Sequence, residues 1–413
     1  MKYFSGFVLA ALILTLQSCF DAKQVSNQNL SYLYNHEERP FTPKYRICHT
    51  SPDVTTVFFS LSKNEMLFTR ENPSSDFFSN ISVFYKLYTS FESSEITDSA
   101  TVLYQFPKSD KDYLSGKIEI KAPVGANYLL ELKIKDESRG KHVKSFFNVI
   151  KESMADRQSY MITDTLGNPL YSDYININNP LDLKYFGKIV PALTVRYYHP
   201  EFPIAAPPYS TAADRPFRLV ADSVFTVELT NNQTRIFLKE EGFYHFMTDT
   251  VTKLGLTLFV NNDDFPRFAT PEKMLESIRY LSTKNEFDQY NLLKDKKAAV
   301  DNFWLECGGS YDRARQLIRK FYSRAEEANI YFSSYIEGWK TDRGMIYMIF
   351  GPPNILYKSS DKETWVYGEL NNMNSVTYNF IKVKNPLSDN DFNLSRSPIY
   401  KLNYFNAVDM WRR

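Results

Sequence analysis

The stretch that decides the C-terminal fold reads Glu337-Gly-Trp-Lys-Thr-Asp-Arg-Gly-Met-Ile-Tyr-Met-Ile-Phe-Gly-Pro-Pro353. Glycines stand on both sides of its apolar run, Met345 to Phe350, and glycine typically marks a sharp turn. The run has the length of one buried strand. We therefore expect a turn up to Gly344, a core strand over Met345 to Phe350, and a second turn at Gly351.

The residues before this stretch predict helices. Thr270 suits an N-cap and Pro271 the first helical position. A charged helix is expected to stop at Gly308-Gly309, after which Ser310 caps a long helix. An apolar stripe along this long helix is expected to pack on the sheet that contains Met345 to Phe350. The stripe consists of Ala314, Leu317, Ile318, Phe321, Tyr322, Ala325, Ala328 and Asn329.

Together these residues resemble a GWxTD domain. The segment from Gly338 to Gly344 and the Gly351-Pro352-Pro353 turn carry most of the resemblance, which covers about residues 240 to 370. The other matching residues are Phe303, Trp304, Arg324, Ala328, Asn329, Phe332, Ile346, Tyr347, Trp365 and Tyr367. The resemblance implies a secreted or lipid-anchored protein of Bacteroidota or their relatives, with this domain placed after β-rich domains. It implies no particular activity.

Structural roles can be predicted for several motif residues. Trp339 is expected to bury its ring beneath the turn, with its indole N–H on an acceptor. On a strand, Asp342 and Arg343 would point to opposite faces and could not pair with each other. We therefore expect Asp342 to accept hydrogen bonds from turn N–H groups and Arg343 to reach Glu326 or Glu327 on the long helix.

A binding role for the same region stays open. Asp342, Arg343, Arg324, Glu327 and Asn329 could instead form a polar site across the seam between helix and strand. The candidate motif or binding residues are Arg324, Glu327, Asn329, Gly338, Trp339, Thr341, Asp342, Arg343, Gly344, Gly351, Pro352 and Trp365.

The sequence contains no familiar catalytic motif. G-x-S-x-G, H-E-x-x-H, a P-loop and C-x-x-C are all missing, and the 5 histidines show no metal-ligand spacing. We therefore predict no catalytic residue, metal or cofactor. An alternative of a different class is an envelope hydrolase or carbohydrate-active protein that uses Asp342 with Glu327. A glycan-binding surface on the β-rich part is a third possibility.

The N-terminus has the features of an export signal. Lys2 precedes an apolar run too short to span a bilayer, and Leu16-Gln-Ser-Cys19 resembles a bacterial lipobox. This pattern predicts a signal peptide over 1–18 and lipid attachment at Cys19, although an ordinary secretory signal with an incidental cysteine is the alternative. Phe20 after the cysteine favours the outer membrane. Because Asp21 is the only acidic residue that follows directly, we expect the periplasmic face and not the cell surface.

Two β-rich regions are predicted between the anchor and the helices. We expect a polar tether over 19–50, an immunoglobulin-like β-sandwich over 51–152, a second β-rich domain over 153–268 and an α+β domain over 269–413. The predicted fold class is thus multidomain and mainly β. The Pro-rich stretch from Tyr198 to Pro208 is expected to be an extended loop, either a connector or a partner contact.

Charge and cysteine content limit the possible partners. The formal net charge is +1, from 49 basic and 48 acidic residues, so binding to nucleic acid through a basic surface is not expected. Cys48 and Cys307 could form a disulfide in an oxidising compartment or remain free. The tail from Tyr404 to Arg413 has aromatics at helical spacing and should dock on its own domain or on a partner. We predict a lipid-anchored scaffold or binding component of an envelope protein assembly.

Overall fold

The computed structural model describes residues 24–199, 202–211, 220–261, 265–370, 372 and 375–413. Several antiparallel sheets make up the N-terminal part, which is followed by a helical region with a small sheet. None of the described helices has the length and apolar character needed to cross a membrane. The predicted signal peptide and Cys19 lie outside the described residues.

The first region is a sandwich of two antiparallel sheets, with strand orders β1-β2-β5 and β4-β3-β6-β7. Its strands are β1 (Lys44–His49), β2 (Val54–Ser62), β3 (Phe78–Tyr88), β4 (Ile96–Pro107), β5 (Tyr113–Lys121), β6 (Ala126–Asp136) and β7 (Lys141–Lys151). Alternating apolar side chains from both sheets, among them Val57, Phe59, Val83 and Leu132, fill one core between them. The hairpin of β6 and β7 at the end of this region is as predicted.

The second region contains a three-stranded sheet, β13-β10-β8, and a five-stranded sheet, β12-β11-β14-β15-β9. Its strands are β8 (Tyr160–Thr163), β9 (Tyr174–Asn176), β10 (Leu181–Tyr185), β11 (Ala192–Tyr198), β12 (Ser223–Glu228), β13 (Gln233–Ile236), β14 (Gly242–Met247) and β15 (Gly255–Asn261). A β-rich region was predicted here, but its short strands β8, β9 and β10 were not recognised individually.

The C-terminal region combines helices with a four-stranded antiparallel sheet, β16-β17-β18-β19. The helices are α1 (Pro271–Ile278), α2 (Lys284–Leu292), α3 (Lys296–Gly308), α4 (Tyr311–Phe332), α5 (Asp342–Phe350) and α6 (Lys401–Arg412). The strands are β16 (Ile355–Lys358), β17 (Lys362–Tyr367), β18 (Val376–Lys382) and β19 (Phe392–Leu394). The predicted caps are confirmed, because Thr270 accepts from the N–H of Lys273 and Ser310 accepts from that of Arg313.

The prediction of a strand over Met345 to Phe350 is wrong, since these residues lie in helix α5. Thr341 caps this helix by accepting a hydrogen bond from the N–H of Gly344. Every residue from Asp342 to Ile349 is buried, so the run is apolar on all sides and carries no helical period. The stripe of α4 accordingly packs on a helix and not on a sheet.

The prediction of a polar tether over 19–50 is also wrong for its described part. Residues from Val25 to Glu38 form three 3-10 turns, and Lys44 begins strand β1. Val25, Leu30 and Tyr34 are buried in the same core as the C-terminal helices. We call residues 24–38 the N-terminal strap. Its few apolar side chains are widely spaced, which is why the sequence suggested a solvated linker.

The Pro-rich loop and the C-terminal tail, which were expected to be possible contact segments, both pack against other parts of the same chain. The loop around Ala205 packs against the helical core, with its N–H donating to the Tyr280 hydroxyl at 3.2 Å. The C-terminal tail forms α6 and docks on its own domain, where the Trp411 indole N–H donates to the carbonyl of Ile349 at 3.0 Å. Cys48 and Cys307 are both buried free thiols, so they are not joined.

Candidate functional site

The GWxTD segment is built on a close backbone crossing between α4 and the start of α5. A Cβ on Gly338 would lie 2.0 Å from the carbonyl oxygen of Ala328, and one on Gly344 would lie 1.9 Å from that of Gly338. No side chain fits at those distances, so both positions require glycine. Gly344 makes this close contact from the first turn of helix α5, whereas the sequence predicted only a turn up to this residue.

Trp339 occupies the space beneath this crossing and is fully buried. Its backbone N–H donates to the side-chain oxygen of Asn329 at 3.2 Å, and Asn329 in turn donates to the carbonyl of Pro266 at 3.0 Å. The Trp339 ring meets Phe268 edge-to-face, with centroids 5.5 Å apart. Burial of the ring is as predicted, but its indole N–H finds no acceptor among the described residues.

Asp342 joins the start of α5 to strand β19. One carboxylate oxygen accepts from the N–H of Leu394 at 2.7 Å, and the other is ion-paired with Arg396. The prediction that Asp342 accepts from turn N–H groups is wrong, because Thr341 provides the cap of the helix instead. Asp342 therefore fixes the far end of the sequence to the motif.

Arg343 forms a buried ion pair with Glu363 of strand β17, and both side chains are 1% exposed. The Nη1–Oε1 distance is 3.0 Å. Arg343 also donates to the carbonyl of Asn390 at 2.9 Å, and its guanidinium lies 4.1 Å from the centroid of the Phe392 ring. The predicted pairing with Glu326 or Glu327 is wrong, because the helical start of α5 directs Arg343 towards the sheet.

Glu363 is the centre of a buried network in which both of its carboxylate oxygens are hydrogen-bonded, whereas the Nε of Arg343 has no partner among the described residues. Besides Arg343, it binds the Lys358 ammonium at 2.8 Å, the Tyr34 hydroxyl at 2.9 Å and the Trp365 indole N–H at 3.0 Å. Burial opposes its ionisation, but Lys358 and Arg343 outweigh this effect and lower the pKa of Glu363 to about 2. Glu363 also raises the pKa of Lys358 above its usual value, against the effect of burial. We call Tyr34, Arg343, Lys358, Glu363 and Trp365 the Glu363 network.

The N-terminal strap is held to the C-terminal domain by this network and by its backbone. The N–H of Leu30 donates to the carbonyl of Leu356 at 2.8 Å, and the N–H of Leu356 donates to the side chain of Asn29 at 3.0 Å. The Tyr347 hydroxyl lies 2.9 Å from the carbonyl oxygen of Tyr34 and shares its single proton between that oxygen and Glu327. The strap is thereby positioned like an additional element of the domain.

The remaining predicted site residues have separate structural roles. Arg324 donates to the carbonyls of Met348 and Ile349 at 3.1 and 3.2 Å, capping the end of α5. Glu327 accepts from the Tyr347 hydroxyl at 2.5 Å. The Asp342 carboxylate is ion-paired with Arg396, whereas Glu327 is bound to the Tyr347 hydroxyl, so the two carboxylates have different partners. Gly351 has a φ of 86°, and a Cβ there would lie 2.5 Å from the Arg324 guanidinium.

The network residues Tyr34, Lys358 and Glu363 were missed from the sequence. Glu363 stands two positions before Trp365 on an alternating strand, so a glutamate on the buried face was the available signal. For Tyr34 the signal was its aromatic side chain in the polar tether, which could dock on the body, but its partner Glu363 was not predicted.

A second buried polar cluster lies between the sandwich and the second region. Asp156 is 5% exposed, with one carboxylate oxygen 3.7 Å from His49 and the other without a partner among the described residues. Burial raises the pKa of Asp156 to about 7 and lowers that of His49 to about 4. Burial likewise lowers the pKa of Lys151, which is in the same cluster, to about 8.

A cleft of about 330 Å³ opens between strands β12 and β13, and its lining includes no residue of the GWxTD segment. Within the described part of the chain, no group of three or more His, Cys, Asp or Glu side chains is arranged to hold a metal ion.

Comparison with known proteins identifies the C-terminal region. A GWxTD domain is present at residues 242–413. It includes strands β14 and β15, and it continues to the last helix, beyond the residues of about 240 to 370 that carried the resemblance. No curated protein matches the sequence.

Two solved structures show weak similarity to the chain. One is a candidate beta-galactosidase from Bacteroides fragilis, with 11% identity, a TM-score of 0.17, and coverage of 34% of this chain and 20% of that one. The chain thus spans about a fifth of that protein's length. The other is a C-terminal 282-residue fragment of intimin, crystallised with the intimin-binding domain of its translocated receptor. It has 12% identity, a TM-score of 0.15, and coverage of 87% and 94%. At these TM-scores neither similarity carries an argument.

Proposed function

We propose that this protein is a lipid-anchored component of the bacterial envelope that binds or scaffolds partner proteins and performs no chemistry of its own. The observation that carries the proposal is the position of the N-terminal strap. Val25, Leu30 and Tyr34 share one core with the GWxTD helices and with Tyr88 and Leu129 of the sandwich. The segment next to the proposed anchor is therefore part of the folded body.

A short connection follows from this arrangement. Five residues lie between Cys19 and Val25, so the chain takes six steps from one to the other (25 − 19 = 6). A fully extended chain rises at most about 3.6 Å per residue, so these steps span no more than about 22 Å. A lipid on Cys19 would hold the GWxTD domain and the adjoining sandwich close to the bilayer. The residues after Cys19 favour the outer membrane and its periplasmic face, as argued from Phe20 and Asp21.

Contacts between the regions suit a scaffold. Arg46 of the sandwich pairs with Asp173 at 2.7 Å. Arg157, in the turn before β8, pairs with Asp389 of the C-terminal domain at 2.7 Å. Such links favour a fixed arrangement of the three regions, and a fixed arrangement lets several partners be held at defined distances.

Two finer assignments belong to the same proposal. The sandwich places its first, second and fifth strands in one sheet and the other four in the second sheet, which supports an immunoglobulin-like domain that begins with β1 at Lys44, before the expected boundary at residue 51, and ends near residue 152. The lipobox together with the GWxTD domain supports an origin in Bacteroidota.

The proposal is tested by fractionating cells and purifying the protein from outer membranes in mild detergent. Wild type is compared with Cys19→Ala and with Gln24→Ala, an exposed change just beyond the anchor. We expect wild type and Gln24→Ala to remain in the membrane fraction and to retain the same set of envelope proteins by mass spectrometry. Cys19→Ala should leave the membrane fraction. Recovery of this chain alone from wild-type membranes would contradict the scaffold role.

A further inference from the structure

Basic residues are concentrated in one stretch of helix α4, although the net charge of the whole chain is only +1. Between Asp312 and Glu326 the helix carries five cationic side chains and no acidic one. Four of the five are exposed, whereas Arg324 is half-buried and donates to the end of α5. We call the four exposed residues the basic strip, which consists of Arg313, Arg315, Arg319 and Lys320.

The basic strip occupies the face of α4 that points away from the core. Arg313 and Lys320 are seven positions apart and therefore lie on the same side of the helix. Arg315 and Arg319 are four positions apart and lie together on the other side of the exposed face. Gln316, which is also exposed, lies between the two pairs. The exposed face thus presents positive charge across its width for about two turns.

The carboxylates of the helices packed against α4 do not neutralise the basic strip. Asp301 of α3 pairs with Lys297 at 2.7 Å, and Asp409 of α6 pairs with Arg413 at 3.1 Å. Asp312 comes before the strip, where a carboxylate suits the positive end of the helix. In the part of the chain that the structure describes, no carboxylate forms an ion pair with a member of the strip. Its positive charge is therefore available to an anionic surface.

The basic strip ends close to the segment that holds the N-terminal strap. The Lys320 ammonium lies 5.5 Å from the centroid of the Trp411 ring, and the Trp411 indole N–H donates to the carbonyl of Ile349. Five positions later (354 − 349 = 5), the carbonyl of Asn354 accepts from the side chain of Asn29 in the strap at 3.2 Å. An extended chain rises at most about 3.6 Å per residue, so these two positions are no more than about 18 Å apart. The strip and the segment that leads to the proposed anchor thus lie in the same part of the domain.

An anionic lipid surface is the partner that suits this face best. An exposed helix face is convex, so it does not enclose a small anion, but it can lie on a layer of charged headgroups. Tyr311 is 73% exposed and lies one turn before Arg315, and tyrosine is enriched at membrane interfaces. A single lipid chain gives only marginal membrane binding, whereas a lipid chain together with basic residues gives stable attachment.

We propose that the basic strip docks on anionic phospholipid headgroups and so orients the protein on the membrane. The inference deepens the proposed function and rests on it, because a lipid on Cys19 would bring the strip to the bilayer. It adds a second membrane contact, which recognises the charge of the headgroups and not the acyl chains.

The test uses the chain from residue 19 onwards with Cys19→Ala, which keeps every described residue and carries no lipid. Vesicles of phosphatidylglycerol and phosphatidylcholine in equal amounts are the probe, and vesicles of phosphatidylcholine alone are the comparison. Binding is measured by co-sedimentation at low ionic strength, where surface charges are screened least. We expect binding to the anionic vesicles to be at least about tenfold stronger and to be lost as salt is added.

Paired variants locate the binding on the molecule. Each basic residue near an anionic surface strengthens binding about fivefold, so Arg315→Gln with Arg319→Gln should weaken it about 25-fold. The matched control is Lys117→Gln with Lys121→Gln, which removes two exposed charges from strand β5 of the sandwich. It makes the same change in net charge outside the strip and should leave binding within about twofold of wild type.

A variant of the other two strip residues keeps the test valid if the first one does not fold. Arg313→Gln with Lys320→Gln should weaken binding to a similar extent. Equal binding to anionic and neutral vesicles, or equal effects of the strip and control variants, would overturn the proposal. Vesicle binding that survives in both strip variants would also overturn it. If those variants then lose the envelope proteins that co-purify with wild type, the strip binds an acidic protein surface instead.

The outcome is separate from that of the fractionation experiment. Vesicle binding through the strip, with wild type absent from the membrane fraction, would reject the lipid anchor alone. Retention of wild type in the membrane fraction, without vesicle binding by the unlipidated chain, would reject the strip alone.

Discussion

The pKa values of two buried carboxylates in this protein are shifted in opposite directions. Glu363 lies in the GWxTD domain and is 1% exposed, and Asp156 lies between the β-rich regions and is 5% exposed. The pKa of Glu363 is lowered to about 2, whereas that of Asp156 is raised to about 7. Depth of burial is therefore not what distinguishes them.

The difference lies in the partners. Glu363 has two cations and two neutral donors at 3.0 Å or less, which compensate for its lost hydration. Asp156 accepts from the N–H of Gln158 at 2.9 Å, but its second oxygen has no partner in the described part of the chain. Glu363 thereby links the N-terminal strap, helix α5 and the β16–β17 hairpin. Because the pKa of Asp156 is raised to about 7, we expect the junction between the two β-rich regions to respond to pH.

The largest expected effect is from removing a cation of the Glu363 network. Arg343→Met leaves Glu363 buried with one cation fewer, and losing one partner of a buried ion pair costs about 3–5 kcal/mol. Urea unfolding at pH 7 measures this loss. The matched control is Asp301→Asn, which breaks the exposed pair with Lys297 and should leave the free energy of unfolding nearly unchanged. Equal effects of both changes would contradict a stabilising network.

Acid should remove the advantage of the Glu363 carboxylate. Its folded pKa of about 2 lies below the usual 4.5, so its contribution is present above pH 4.5 and is lost as the pH falls towards 2. The difference in unfolding free energy between wild type and Glu363→Gln should therefore shrink between pH 5 and pH 3. A difference that stays constant over that range would argue against ionised Glu363 as the source.

Asp156 should show the opposite dependence. Its folded pKa of about 7 lies above the usual 3.8, so its cost to stability grows as the pH rises from about 4 to 7 and stays constant above pH 7. Asp156→Asn keeps an oxygen for the N–H of Gln158 and removes the charge. We expect it to gain about 1–3 kcal/mol relative to wild type between pH 5 and pH 8. Lys151 titrates near this range in both proteins and so largely cancels. No relative gain would show that the carboxylate is solvated.

The smallest expected effect is from reducing agents on the two cysteines, one in the sandwich and one in the GWxTD domain. Cys48 precedes His49 of the polar junction, and Cys307 lies in the helical core. Burial raises the pKa of the Cys48 thiol to about 12 and that of Cys307 to about 11. Reductant should leave the melting temperature unchanged, and a thiol reagent should react only on unfolding. A lower melting temperature in reductant would indicate a disulfide.

Features that depend on local sequence patterns could be predicted, and features that depend on distant contacts could not. Caps such as Thr270 and Ser310, the two β-rich regions and the GWxTD segment depend on local patterns, and each was recognised. The run from Met345 to Phe350 was not, because a segment buried on all sides has no period that separates helix from strand.

The partners of the site residues depend on contacts between distant parts of the chain. Tyr34 and Glu363 are separated by 329 positions, and Asp342 and Arg396 by 54. Residue types at one position do not reveal such pairs. Because α5 was predicted as a strand, the predicted direction of the Arg343 side chain was also wrong, since a side chain leaves a helix and a strand in different directions. One wrong element thus changed the predicted ion pair.

The Glu363 network fixes the N-terminal strap to the GWxTD domain. Hydrogen exchange at the amide of Leu30, which donates to Leu356, tests it most directly when wild type, Tyr34→Phe and the exposed control Tyr311→Phe are compared. We predict protection of Leu30 in wild type and in Tyr311→Phe, and about five- to thirtyfold faster exchange in Tyr34→Phe, because losing its bond to Glu363 costs about 1–2 kcal/mol. Exchange of Leu30 at the rate of an unstructured peptide in wild type would contradict the claim.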